Sequence, residues 1–275
     1  MHRPGYASRS LLGAFASAWR GRQLLLGMVR REVAGRYRGS WLGLLWSLLT
    51  PMLLLGIYTF IFGLVFKVRW GEGRSVDGEF AAILFCGIIL HGFLSEVLTR
   101  SPLLVVGNVN FVKKVVFPLE ALGWVTVGAS LFHFLLALAV LVAFLLFSGS
   151  GVPLTVLALP LVLLPFALIL LGLSWFVAAL GVYVRDTAHV AGFVATALMF
   201  LSPVFYPLTA VPEAYRDLYL LNPLTFAIVE ARNSLIFGTW PEPGPLALYW
   251  LAALLICWGG YAWFQKMRSG FADVL

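Results

Sequence analysis

Few residues in this sequence could do chemistry inside an apolar run. Glu96 and Glu120 lie near the expected ends of apolar segments, and His133 lies well inside such a segment. A single His on an apolar helix is more often a packing residue than a proton relay. The sequence contains no HExxH, GxSxG or P-loop motif and no Asp/Glu pair within an apolar run. We therefore expect no enzyme activity, no metal site and no cofactor on this chain.

The composition indicates that lipid surrounds most of the chain. Hydrophobic residues make up 61% of the sequence and charged residues 11%, whereas soluble domains have about 45–50% and about 25%. This excludes a soluble enzyme and a nucleic-acid-binding domain. The net charge of +7 is then explained by Lys and Arg retained on the cytoplasmic side. Cys86 and Cys257 both lie in apolar runs, which is typical of buried thiols and not of a disulfide framework.

The uncharged runs predict an all-α integral membrane protein with six transmembrane helices in a domain covering residues 39–265. A spanning helix needs about 20 apolar residues. The first run begins after about 40 Arg-rich residues, too late for a signal peptide. A turn at 148–153 divides the longest run, 121–184, into two spans. The other runs are 39–66, 80–99, 187–211 and 244–265.

The distribution of Lys and Arg predicts the orientation in the cytoplasmic (inner) membrane. Six spans place residues 1–40, 100–118, 185–189 and 266–275 on one side. These segments contain fourteen of the nineteen basic residues, and the opposite side contains five. Because Lys and Arg are enriched on the cytoplasmic side, both termini are expected there, with 266–275 as a cytoplasmic tail.

The first 38 residues predict a cytoplasmic amphipathic interface segment. Leu, Phe, Trp and Val recur near helical spacing over 10–38, with arginines between them. This pattern is typical of a helix lying in the membrane interface with its basic residues toward lipid phosphates. The arginines proposed for that role are Arg30, Arg31, Arg36 and Arg38. The alternative is a soluble tail helix packed on a partner.

The segment 212–238 predicts a re-entrant structure on the outer side. Its apolar run, 224–236, is too short to cross a bilayer. Non-helical backbone is tolerated at membrane depth only where it packs on protein or lines a water-filled cavity. We therefore predict an outer gate whose apolar face presses against a symmetry-related copy. Glu230 and Arg232 are expected at its water-exposed mouth, and Asn222 and Pro223 at its start.

The cytoplasmic connection at 108–117 predicts a short helix with an apolar side. Phe111, Val112 and Val115 would lie beside Lys113 and Lys114. Such a surface suits docking into a groove on another protein. The alternative is a polar connector whose lysines follow the ordinary positive-inside pattern.

Several blocks, in order along nearly the whole chain, resemble type-2 ABC exporter permeases, and more narrowly the branch that exports O-antigen, capsule and teichoic acid polymers. The blocks are 30–51 (RREVAGRYRGSWLGLLWSLLTP), 110–120 (NFVKKVVFPLE), 184–189 (VRDTAH), 202–207 (SPVFYP), 221–224 (LNPL) and 270–275 (GFADVL).

The resemblance implies the transmembrane subunit of an ATP-driven exporter of a lipid-linked polysaccharide. Such permeases work as homodimers bound to two separate ABC ATPase subunits, which hold ATP and Mg. Residues 108–117 would be the coupling helix, and 224–237 would be part of the outer gate. The implied coupling residues are Asn110, Phe111, Val112, Lys113, Lys114, Val115, Arg185 and Asp186.

Aromatic residues are candidates for a polymer channel, because sugar C–H faces pack on aromatic rings. The candidates are Tyr58, Phe62, Trp124, Tyr183, Phe205 and Tyr206. The alternative is that they form interfacial belts, as in any membrane protein. Other functions compatible with the sequence are a type-2 permease for a drug or lipid, an integral membrane transferase and a standalone facilitator.

Overall fold

The computed structural model describes residues 11–65, 79–113, 117–149 and 151–275, and all regular structure in these residues is helical. The α-helices are α1 (Leu11–Arg20), α2 (Arg22–Arg36), α3 (Trp46–Tyr58), α4 (Glu79–Arg100), α5 (Val109–Lys113), α6 (Ala121–Phe147), α7 (Leu159–Tyr183), α8 (Thr187–Phe200), α9 (Glu213–Leu220), α10 (Pro223–Arg232), α11 (Pro243–Met267) and α12 (Phe271–Val274).

Five helical segments of the described residues are long and apolar enough to cross a membrane, one fewer than predicted. The segments are Gly43–Phe62, Phe80–Leu103, Ala121–Phe147, Leu154–Tyr183 and Pro243–Val274. The predicted span 187–211 differs, because α8 has only 14 residues and rises about 21 Å at 1.5 Å per residue. Pro203 follows closely, and a proline ring prevents the helix from continuing through that position.

The interior of the fold lies around α4. In the most apolar stretch of that span 78% of the residues are buried, against 17% in the span containing α3. Helices α3, α6, α7, α8 and α10 all contact α4. Helix α3 leaves Met52, Leu53 and Ile57 more than half exposed. Lipid tails are as apolar as these side chains, so their exposure costs little in a bilayer.

Helices α7 and α11 approach each other closely, and two glycines permit this approach. A Cβ atom added at Gly260 would overlap the backbone of Gly172, and one added at Gly172 would overlap Ile256 and Cys257. Small residues at such a crossing bring two backbones together, which is how helices associate where hydrophobic burial cannot drive them.

The N-terminal segment is two helices and not the single amphipathic helix that the pattern suggested. Helix α1 ends at Arg20, and α2 begins at Arg22 after Gly21. Helix α2 packs across α6, where a Cβ added at Gly128 would lie 2.9 Å from a Val29 methyl carbon. The segment is therefore anchored on a spanning helix, and its location in the membrane interface stays a prediction.

The outer segment consists of α9, α10 and one π-helical turn, Asn233–Phe237. The Asn222 side chain caps α10 by accepting from the Leu224 N–H at 3.0 Å, and Pro223 occupies the first turn. Gly238 ends the turn with φ of 70°, a backbone conformation that favours glycine. These capping residues explain why the segment formed by α10 and the π-helical turn begins and ends at well-defined residues.

The apolar face of α10 is covered by the chain itself. Leu224, Ala227 and Ile228 are fully buried, and α10 contacts α4 and α7. The prediction that this face presses against a second copy is therefore wrong. The face has partners within the chain because α8 stops early and leaves the outer ends of α4 and α7 available.

Candidate functional site

The candidate coupling segment, residues 108–117, follows α4 after a short connection. A 3₁₀ turn at Val106–Asn108 leads into α5, and the Asn108 side chain donates to the Leu104 carbonyl at 2.9 Å. The Phe111 ring stacks on Phe117 with centroids 4.6 Å apart. Phe111 and Val112 are thus half-buried, whereas Asn110 is exposed. The side chain of Lys113 and all of Lys114 and Val115 lie outside the described residues.

The second cytoplasmic turn presents a charged surface. Arg185 and Asp186 are both exposed where α7 passes into α8. The backbone N–H of Thr187 donates to the Val184 carbonyl at 3.2 Å, which closes a tight turn. The position of this turn is compatible with a contact on a cytoplasmic partner, and its role in coupling stays a prediction.

The C-terminal tail ties the two cytoplasmic connections together. Arg268 donates to a Glu120 carboxylate oxygen at 2.9 Å, and the Tyr183 hydroxyl donates to the Met267 carbonyl at 2.8 Å. Phe271 is fully buried, and α12 contacts both α5 and α7. Sequence reasoning missed this arrangement, since no local pattern relates residues about 150 positions apart.

Ion pairs join α2 to the end of α4 that the distribution of basic residues predicts to be cytoplasmic. Arg36 Nη1 lies 2.6 Å from Glu96 Oε1, and Arg100 Nη1 lies 3.2 Å from the same oxygen. Arg100 also pairs with Glu32. His133 Nδ1 on α6 lies 3.2 Å from Glu96 Oε1. We call Glu32, Arg36, Glu96, Arg100 and His133 the cytoplasmic charge network.

The sequence analysis treated Glu96 and His133 as separate and unremarkable residues. Glu96 and Arg100 are four residues apart on one helix, a spacing that could have signalled an ion pair. The contacts of Glu96 with Arg36 and His133 cross 60 and 37 residues of sequence, and no local spacing indicates them.

On the side predicted to face outward, Arg232 makes an unusual set of contacts. Its side chain donates to the carbonyls of Ile83 at 3.0 Å, Pro203 at 2.6 Å and Val204 at 2.7 Å. The residue is only 3% exposed. Burial lowers the pKa of the guanidinium to about 10, so it is still charged at neutral pH. The expectation that Arg232 lies at a water-exposed mouth is wrong.

Arg232 therefore links three segments of the outer side: the start of α4, the turn after α8, and α10. The Asn222 side chain strengthens the same joint, because its Nδ2 donates to Ser202 Oγ at 2.8 Å. The physical reason for the burial of Arg232 is that its charge is met by three main-chain oxygens. A buried cation is tolerated when its donors are satisfied.

Glu230 lies two residues before the end of α10 and is half-buried. It accepts from Asn233 Nδ2 at 3.3 Å. Burial raises the pKa of its carboxyl above the usual value, and the nearby Glu242 acts in the same direction.

The aromatic candidates do not form one continuous group among the described residues. The rings of Tyr58 and Phe62 are 6.2 Å apart on the first span. Trp124 packs between two other rings, Phe15 at 5.1 Å and Trp175 at 5.9 Å. Tyr183 binds the tail, as described above.

The remaining two candidates lie near the outer turn. Phe205 contacts Phe200, with ring centroids 6.1 Å apart. The Tyr206 hydroxyl lies 3.0 Å from that of Tyr219. Within one copy of the chain the six residues thus occupy several separate places, and their role in a channel stays a prediction.

The described residues hold no group of three or more His, Cys, Asp or Glu side chains that could bind a metal ion. The charged side chains that they bring together form ion pairs and backbone contacts, and these contacts position the helices.

Comparison with known proteins gives consistent results. The family model for the ABC-2 type transporter matches residues 23–236. The O-antigen export system permease protein RfbA of Myxococcus xanthus is 28% identical over 254 residues, which cover 92% of this chain and 95% of that protein. Two proteins of the same name from Klebsiella pneumoniae are 27% and 26% identical, also over 92% of this chain and 95% of each relative. The match to the family model spans more than half of the sequence, so this chain belongs to the ABC-2 type transporter family.

Proposed function

We propose that this chain is the transmembrane permease subunit of an ATP-driven exporter that moves a lipid-linked, O-antigen-like polysaccharide across the cytoplasmic membrane. The observation that carries this proposal is the similarity to three O-antigen export permeases over 92% of the chain. The family model, matched at residues 23–236, covers nearly all of α2, both cytoplasmic connections and four of the five long apolar spans. The absence of a P-loop motif in the sequence agrees with ATP and Mg bound by another subunit.

The working unit is a homodimer. One copy contributes five long helices, too few to surround a hydrated polymer without leaving the polymer against lipid. Two copies related by a two-fold axis can enclose a tunnel. The span containing α3 supports this, because only 17% of its most apolar stretch is buried within one chain. The first and fifth predicted spans, α3 and α8, are the proposed tunnel walls.

Two ABC ATPase subunits bind the cytoplasmic side through α5 and the turn at Arg185 and Asp186. Asn110 is exposed there, and Phe111 packs on Phe117. Movement of α5 would reach α7 and α11 directly, since the tail binds Glu120 and Tyr183. Both termini are cytoplasmic in this arrangement, in agreement with the distribution of basic residues.

The outer gate is the joint that Arg232 forms with the turn after α8, together with α10. Asn222, Pro223 and Glu230 define the ends of that helix. Because α10 is packed inside its own chain, opening would require the turn at 201–212 to move and not α10 alone. Tyr206 and Phe205 lie on that turn and would meet the polymer there.

Replacing Phe111 with Asp tests the coupling assignment. A charge placed between the Phe117 ring and a docked ATPase costs several kcal/mol when it is buried without a partner. We expect the tagged permease to insert normally but to lose most of the co-purified ATPase and polymer export. Phe147→Asp is the matched control, because Phe147 is 91% exposed at the opposite end of α6. Unchanged co-purification and export in Phe111→Asp would reject the assignment.

A further inference from the structure

Helix α12 contacts both of the elements that flank the proposed ATPase contacts, α5 and α7. Phe271, its first residue, is fully buried, and its ring lies 5.5 Å from that of Phe264 and 6.1 Å from that of Tyr183. Tyr183 is the last residue of α7, and the turn that contains Arg185 and Asp186 follows it directly. Helix α12 therefore bridges the candidate coupling segment and that turn.

The residues before α12 hold the helix in this position. Arg268 donates to Glu120 Oε2 at 2.9 Å and to the Phe117 carbonyl at 3.5 Å. A Cβ atom added at Gly270 would lie 2.5 Å from the Tyr183 hydroxyl oxygen, so a larger residue there would have to displace the Tyr183 ring. Because these contacts reach the start of α6 and the end of α7, α12 has a defined place in the fold.

The surface around the contact between Phe271 and Tyr183 is apolar and exposed. Val274, one turn after Phe271, is 51% exposed, and Val184, next to Tyr183, is 47% exposed. Tyr183 itself is 42% exposed, and Ala272 is exposed as well. We call Tyr183, Val184, Ala272 and Val274 the tail patch. Segments about 90 residues apart in the sequence contribute to it.

Charged residues around the tail patch indicate that it faces water and not lipid. Arg185, Asp186, Lys266 and Asp273 are all exposed, and charged side chains are rarely placed against lipid tails. The two positive and two negative residues also give this surface no net charge that would attract an anionic headgroup. An apolar patch that is rimmed by charged residues in water is typical of a contact with another protein.

The size of a stable interface indicates which protein covers the tail patch. A specific complex buries roughly 800 Å² on each partner, which corresponds to about 20–30 residues on each side. Helix α5 has five residues, and the turn around Arg185 and Asp186 adds only a few. An ATPase that binds both elements needs more surface, and α12 is the element that contacts α5 and α7 together.

We infer that α12 is a third element of the ATPase-docking surface. The inference rests on the proposed function, in which a separate ATPase binds α5 and the turn at Arg185 and Asp186. The tail patch packs against apolar side chains of that ATPase, and the charged rim surrounds the contact. The buried Phe271 ring gives this surface its fixed shape but does not itself touch the partner.

Photo-cross-linking from the tail patch tests the contact directly. Benzoylphenylalanine is introduced at position 274, in membranes that contain this chain and the ATPase that co-purifies with it. The control position is 221, because Leu221 is 79% exposed and lies near the opposite end of α11, where Tyr249 donates to the Pro223 carbonyl. We expect position 274, and not position 221, to cross-link to a protein in which mass spectrometry finds a P-loop peptide.

The other outcomes separate this inference from the proposed function. If position 274 cross-links only to phospholipid or to a second copy of this chain, the contact of α12 with the ATPase is overturned. The same holds if the unmodified chain retains an ATPase that Phe111→Asp loses, but position 274 does not cross-link to it. If no ATPase co-purifies with the unmodified chain, the proposed function fails and the inference fails with it.

A second variant measures how much the tail patch contributes to binding. Val274→Asp places a charge in an apolar contact, and burial of an unpaired charge is unfavourable. We expect the affinity for the ATPase to fall at least about tenfold. The thermal unfolding midpoint should not change, because Val274 is exposed within this chain. Leu221→Asp is the matched control and should bind normally. A Val274→Asp protein that binds the ATPase as tightly as the unmodified chain would contradict the inference.

Discussion

Two arginines, one near each end of the membrane domain, differ in their exposure and in the kind of acceptor that they contact. Arg232, on the side predicted to face outward, is 3% exposed and donates to three main-chain carbonyls. The Arg36 side chain on the cytoplasmic side is 46% exposed and pairs with the carboxylate of Glu96. Carbonyls belong to the backbone and cannot turn away independently, whereas carboxylates on long side chains can exchange partners.

The difference indicates where the molecule is rigid and where it can adapt. The outer joint depends on one cation, so its loss leaves several acceptors without a donor. In the cytoplasmic charge network Glu96 faces Arg36, Arg100 and His133, so loss of any one cation leaves others. A cytoplasmic side that receives movement from an ATPase would need this kind of replaceable contact.

The largest effect is expected from removing the outer cation. Arg232→Met keeps much of the side-chain volume but leaves the carbonyls of Ile83, Pro203 and Val204 without their donor. We expect the free energy of unfolding to fall by about 3–5 kcal/mol, the effect of removing one member of a buried charged contact. Arg216→Met is the control, because the Arg216 side chain is 38% exposed and contacts nearby groups in the sequence, namely the carbonyls of Thr209 and Val211 and the Glu213 carboxylate. Thermal unfolding in detergent distinguishes the two, and equal midpoints would contradict the proposed role of Arg232.

A smaller effect is expected from the centre of the cytoplasmic network. Glu96→Gln retains shape and hydrogen-bonding capacity but removes the charge that Arg36 and Arg100 share. We expect the free energy of unfolding to fall by about 1–2 kcal/mol, which is within the range for hydrogen bonds to charged groups. Glu32→Gln should cost about 1 kcal/mol or less, since the Glu32 side chain is 41% exposed. If Glu32→Gln proved the more damaging in thermal unfolding, Glu96 would not be the centre of the network.

The smallest effect concerns pH at Glu230. Its pKa is raised in the folded protein by burial, so the folded state favours the protonated carboxyl. The contribution of Glu230 to the free energy of unfolding is therefore largest at low pH, and it is lost as the pH rises through the pKa of the folded state. Glu230→Gln, which resembles the protonated form, should unfold at a slightly higher temperature than the unmodified chain at pH 7. The difference should shrink at pH 5, and a difference that grew there would contradict the assignment.

The sequence predicted the long spans, but it did not predict the contacts that join distant segments on the side of Arg232. Uncharged runs located five long spans, because a bilayer demands apolarity and length together. The run 187–211 satisfied apolarity but contained Pro203, and composition alone did not reveal that α8 would stop at Phe200. The acceptors of Arg232 are backbone atoms supplied by distant segments, and every residue type has such an oxygen. No residue pattern can therefore predict the contacts of Arg232. The four-residue spacing of Glu96 and Arg100, in contrast, does indicate an ion pair on one helix.

The central claim is ATP-driven export of a lipid-linked polysaccharide by this chain together with a separate ATPase. Inverted membrane vesicles, whose cytoplasmic face is outside, test it most directly when they carry both proteins and a lipid-linked polysaccharide. After ATP is added, the account predicts that the polymer becomes protected from an added glycosidase, and that omission of either protein prevents this. Protection without this chain, or continued exposure of the polymer while the intact complex hydrolyses ATP, would contradict the account.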